Sequence, residues 1–164
     1  MTKQEFEKNI IVWLYKHLSL KYKEYNVEVI KPTSNISKLN IDKIKKNPGY
    51  TSFDFKPDIL VILENKKNYK IELVIVNRTI NAISLKEIGE INLFSRITNS
   101  IESYILSLKG LPEEVNLILM NSDLEKDLLN YNDGKQIYLL RWDQFTNKIE
   151  SKAIYPSKLK DEFI

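Results

Sequence analysis

Two acids in this chain have the type and position to do chemistry. Asp58 follows Pro57 directly before the apolar run Ile59 to Leu63, and Glu72 interrupts a second apolar run, Ile71 to Val76. Proline can open a strand without forfeiting a ladder hydrogen bond, which sets Asp58 at a sheet edge. An acid among buried neighbours costs several kcal/mol unless it is paired or bound to a metal, so Glu72 needs a reason. The polar segment Glu64-Asn65-Lys66-Lys67-Asn68 joins the two runs as the turn of a hairpin. Carboxylates from its two strands can converge on one hard cation, Mg²⁺ (or Mn²⁺), which prefers oxygen and commonly takes only one or two carboxylates from protein. Such an ion would bind a phosphate and activate a water beside it. Each acid also has a plainer role: Asp58 bonding nearby amides at a strand start, and Glu72 facing water from an edge strand.

Other chemistries are closed off by composition. The chain has no cysteine, so disulfides, thiolate zinc clusters and thiol nucleophiles are excluded. Its one histidine, His17, cannot build a multi-histidine metal site, and it falls beside Trp13 and Leu14 on an apolar helical face, where a packed role is expected. Carboxylates are the plentiful ligands that remain.

The elements that must carry these residues are legible as periodicity. Phe6, Ile10, Trp13, Leu14 and Leu18 predict a helix over roughly 3–20, opened by the capping box Thr2/Glu5. Tyr25 to Ile30 alternates like a strand, and residues 31–54 form a polar excursion broken by Pro32, Asn35, Pro48 and Gly49. After the hairpin, Ser84 and Glu87 open a second helix whose apolar stripe is expected to run to Leu108. Val115 to Met120 is expected as a central strand covered on both faces. A third helix from Ser122 to Asn130, capped by Ser122 and Glu125, and a strand from Gln136 to Arg141 complete the order α-β-β-β-α-β-α-β; the tail from Asn147 is weakly patterned.

The 164 residues suit a single domain over 1–164. With 43% hydrophobic and 29% charged residues, the composition is that of a folded protein. A charged start and the lack of a long apolar run predict no membrane span and a cytoplasmic location. A net charge of +3 permits phosphate-backbone binding without requiring it. Lys38, Lys43, Lys45 and Lys46 cluster in the excursion and could track such a backbone, while Tyr22, Tyr25, Tyr50, Phe53 and Phe55 are read mainly as packing or loop anchors.

With these residues in place, the chain resembles the PD-(D/E)XK nuclease superfamily, in its restriction-endonuclease-like and RecB-type branches. That fold is an α-β-β-β-α-β core with a mixed central sheet flanked by helices, here followed by a C-terminal helix and strand. Pro57-Asp58 matches the first part of the motif, and Glu72 with Leu73 matches the second acid and spacer. Val74 replaces the motif lysine. Phe6-Glu7 with Ile10 and Leu14 is similar to the family's acid-bearing first helix, which implies Glu7 as an auxiliary metal ligand. Glu90 and Phe94 stand where RecB-type members carry Gln-x-x-x-Tyr. Some members supply the lysine from the following helix, which implies Lys86, one turn before Glu90; Glu87 is assigned to its capping box instead. The resemblance thus implies a Mg²⁺-dependent DNA nuclease with catalytic residues Asp58, Glu72, Lys86 and Glu90 and metal ligands Asp58, Glu72 and Glu7. DNA is its partner, and a homodimer is compatible. The alternative is a degenerate member that binds DNA or assembles with protein and no longer cleaves. A different strand register, with Val74 and Val76 at the acid and lysine positions, would leave no catalytic pair.

Overall fold

β2 (Ile59–Asn65) and β3 (Ile71–Thr79) form the predicted antiparallel hairpin, with Ile59 opposite Val76 and Leu63 opposite Glu72. The computed structural model describes residues 1–163. The turn is fixed by Asn65, whose Oδ1 accepts the amides of Lys67 and Asn68 at 2.9 and 3.2 Å. Strand β1 (Tyr25–Ile30) lies antiparallel on the outer side of β2.

Helix α1 (Lys3–Lys21) begins at the expected capping box, Thr2 and Glu5 each binding the other's backbone amide. It buries Phe6, Ile10, Leu14 and Leu18 against one face of the sheet, where Ile59, Val61, Val74 and Val76 await them. The excursion between β1 and β2 contains a short helix α2 (Asp42–Lys45) and covers the opposite face with Ile36, Ile44, Phe53 and Phe55. The period of two along a strand assigns these faces: even-numbered β3 residues from Val74 to Val76 meet α1, and Leu73 and Ile75 meet the other layer.

Helix α3 (Leu85–Thr98) starts at the Ser84/Glu87 capping box but does not reach Leu108. Asn99 adopts a left-handed conformation, φ 50°, and terminates it, as a short polar side chain can at that position. The next residues become β4 (Glu102–Ser107), buried along its whole length and parallel to β3. The central strand is therefore this segment and not Val115 to Met120. That run is helix α4 (Glu113–Leu119): Pro112 stands at its N-cap and Glu113 and Glu114 occupy the first turn, where acids favour a helix. Only Val115 and Leu119, four residues apart, face the core, while Leu117 and Met120 are 59% and 73% exposed.

Helix α5 (Ser122–Leu129) follows, capped by the Asn121 side chain rather than by Ser122. A two-residue β5 (Asn130–Tyr131) leads into β6 (Lys135–Asp143), which is parallel to β4. The tail contributes a strand the sequence did not announce, β7 (Lys148–Tyr155), antiparallel to β6. The result is a mixed α/β fold: a seven-stranded mixed sheet in the order β1-β2-β3-β4-β6-β5, with β7 also on β6 and helices on both faces. Among the described residues, no helix is long and apolar enough to cross a membrane.

Candidate functional site

The hairpin register decides which residues can share a site. Asp58 precedes Ile59, the partner of Val76, and so stands opposite Asn77; Glu72 stands opposite Leu63, five positions back along β3. At about 3.3 Å per residue this separates the two acids by roughly 17 Å, and an odd offset places them on opposite faces. The predicted Asp58–Glu72 pair does not form. Glu72 instead pairs with Lys70, Oε1 to Nζ 3.0 Å, at the turn end of the hairpin. A half-exposed ion pair of this kind is what allows a carboxylate to interrupt an apolar strand.

Asp58 is held by the backbone of the neighbouring strand. Its Oδ2 accepts the amide of Arg78 at 2.9 Å, and its own amide donates to Asn77 Oδ1 at 3.3 Å. The amide-bonding role of a strand-start aspartate is thus realised. Asp58, Asn77 and Arg78 line a cleft of about 260 Å³ with Lys56, Glu87 and Glu90. Glu90 lines the same cleft as Asp58. Glu87 serves its capping box, Oε2 accepting the Ser84 amide at 2.8 Å, and still contributes to the cleft wall. Lys86 is exposed on α3 and does not line the cleft, because the first turn of the helix points it to solvent.

Glu7 is buried, with a side-chain exposure of 6%, and both of its oxygens are taken. Arg78 donates from Nε and Nη2 to Oε2 at 2.9 and 2.6 Å, and Lys31 Nζ lies 2.6 Å from Oε1. Burial pushes this carboxyl up, but the hydrogen bonds and charges of Lys31 and Arg78 outweigh it and hold it below its ordinary value. With Glu7 committed to Arg78 and Lys31 and Glu72 at the far end of β3, the predicted set Asp58, Glu72 and Glu7 is not assembled. Among the described residues, no group of three or more His, Cys, Asp or Glu is placed to hold a metal ion.

Asn77, Arg78 and Lys56 were not singled out from the sequence. The signal existed: two apolar runs paired end to end put the first residue of one opposite the last of the other, and Asp58 then faces the residue after Val76. Arg78 gave a second signal, an arginine directly after an apolar strand whose burial demands an acidic partner elsewhere.

A second polar constellation is structural. Glu102, 2% exposed, accepts the hydroxyls of Tyr22 and Tyr104 and pairs with Lys21 at 3.0 Å. His17 lies stacked between Trp13 and Phe163, ring centroids 4.8 and 5.0 Å away, the packed role expected for it.

Comparison with family models, with curated proteins and with solved structures finds no match to this chain.

Proposed function

We propose that this protein is a nuclease-like domain that binds nucleic acid without cleaving it. The observation that carries the reading is the residue set opposite Asp58. A meander of three antiparallel strands, a helix and a parallel fourth strand is the order that the PD-(D/E)XK resemblance implies. In that reading the second acid and the lysine lie on the strand facing Asp58, two positions apart. The register offers Asn77 and Thr79 for those positions, or Val76 and Arg78 if shifted by one. Neither choice supplies an acid with a lysine.

The chemistry follows from those identities. Asn77 brings a neutral amide where a hard cation needs negative charge, and Thr79 has no ammonium to orient a water or offset charge as it develops. The guanidinium of Arg78 is committed to Glu7. What persists is a polar cleft without a hydrolytic set, in a chain whose net charge of +3 is compatible with nucleic-acid association elsewhere on its surface.

The test is direct. Purified protein incubated with supercoiled plasmid and Mg²⁺ or Mn²⁺ leaves it intact, yet retards DNA, duplex or single-stranded, in a gel with an affinity that falls steeply with salt. Nicking by the wild type, abolished in Asp58→Ala, overturns the non-cleaving half; absence of any binding overturns the other. The double variant Asn77→Glu/Thr79→Lys, which restores an acid and a lysine opposite Asp58, gains metal-dependent nicking.

A further inference from the structure

The turn end of the β2–β3 hairpin, far from Asp58, carries a hollow of about 430 Å³ walled by three lysines from three elements and a single acid. Lys46 comes from the end of α2, Lys70 from the hairpin and Lys135 from the start of β6; the acid is Glu72. Lys135 reaches neutral partners, the carbonyl and Oδ1 of Asn99, at 3.2 and 2.6 Å, and among the described residues it forms no ion pair. Lys46 and Lys43 both approach Glu64, at 3.9 and 3.8 Å, and Lys43 also pairs with Glu28 at 3.4 Å. The same turn exposes Lys66 and Lys67, and Lys66 also rests on a neutral group, the carbonyl of Lys23, at 3.2 Å. Positive charge here exceeds the negative charge available to neutralise it.

Tyr69 stands at the rim. Its backbone is left-handed, φ 59°, a conformation costly for a bulky side chain, and the residue is 64% exposed. Burial does not repay that cost. The turn enforces it, the Tyr69 amide donating to the Asn65 carbonyl at 3.0 Å while Asn65 Oδ1 accepts the amides of Lys67 and Asn68. An exposed aromatic on a clamped, strained turn, beside a cluster of lysines of which Lys66 and Lys135 rest on neutral partners, has the make-up of a stacking platform flanked by phosphate contacts.

We propose that this hollow binds single-stranded nucleic acid, its lysines on the sugar–phosphate backbone and Tyr69 on an unpaired base. The proposal rests on the nucleic-acid reading above and moves the contact face to the other end of the sheet. A single strand is specified because the aromatic face at the rim needs a base free of its pairing partner.

The experiment is fluorescence anisotropy with a labelled oligothymidylate across a salt series. Wild type binds. Lys46→Glu/Lys70→Glu/Lys135→Glu loses at least about tenfold in affinity, and its slope of log affinity against log salt is shallower by about 2, as expected for three lost phosphate contacts on a single strand. Tyr69→Gly, which frees the turn of its strain and so keeps the fold, loses about tenfold. Lys152→Glu, on the exposed β7 and outside both the hollow and the Asp58 cleft, binds as wild type. If wild type binds and the triple variant and Tyr69→Gly bind equally well, the hollow is not the site, though the nucleic-acid reading stands. If unlabelled duplex competes as well as the single strand, the single-strand assignment fails. If wild type does not bind even at low salt, the nucleic-acid reading itself falls.

Discussion

Arg78 serves Asp58 and Glu7 at once: its backbone amide donates to Asp58 Oδ2 at 2.9 Å, and its guanidinium closes on Glu7 Oε2 at 2.6 Å. One residue thus fixes the start of β2 to the end of β3 and both to α1.

Arg78→Ala removes the larger of two cationic partners from a buried carboxylate. Lys31 remains, so the expected loss is about 2–3 kcal/mol rather than the full cost of an orphaned charge. Chemical denaturation measures it. Arg78→Lys recovers part of the loss by restoring charge without the two-nitrogen contact; an unchanged midpoint for Arg78→Ala would show that the pair adds nothing.

Glu72→Gln separates the two ends of β3 functionally. Stability falls by no more than about 1 kcal/mol, since the pair reaches solvent through Lys70, whose side chain is 67% exposed. Oligonucleotide affinity rises, because the one acid in the lysine-lined hollow is gone. An Asp58–Glu72 metal pair would instead make this variant lose all activity.

Glu102→Ala leaves two tyrosine hydroxyls and Lys21 without their shared acceptor, at a cost of about 3 kcal/mol in thermal or chemical unfolding. Burial, and then the Glu102 charge, push the Tyr22 and Tyr104 phenols well above 10.0. In wild type these two rings should therefore resist ionisation in an alkaline absorbance titration until the protein unfolds.

Acid destabilises in two windows. Burial lowers His17 below its ordinary 6.5, so the unfolded chain takes up a proton first and stability falls as pH drops below 6.5. Glu7 is held below 4.5; its contribution is present above that pH and lost as pH falls further, through its folded-state value. His17→Phe abolishes the first decline and Glu7→Gln the second. Denaturation midpoints between pH 7 and 3 read both.

Much of the fold was legible because local rules governed it. The capping boxes at Thr2/Glu5 and Ser84/Glu87, the strand at Tyr25 to Ile30 and the β2–β3 hairpin all follow from spacing alone. The central strand was misplaced because Ile101, Tyr104, Ile105 and Leu108 continue a helical period that Asn99 breaks by a single left-handed residue. Val115 to Met120 looked like a buried strand, although two acids after a proline favoured a helix start. In the site, Asp58 and Glu90 were found by residue type. Glu72 was misassigned because an acid in an apolar run looks the same in sequence whether it meets a metal or the lysine two residues before it. Pairing register, not composition, distinguishes the two.

Because the Asp58 cleft and the lysine-lined hollow lie at opposite ends of β3 and have no lining residue in common, they share no partner through which a change at one could be felt at the other. Free-energy effects of substitutions at the two should sum without a coupling remainder. Each end is then free to vary on its own, and a sequence could drift at Asn77 while keeping every cation around Tyr69.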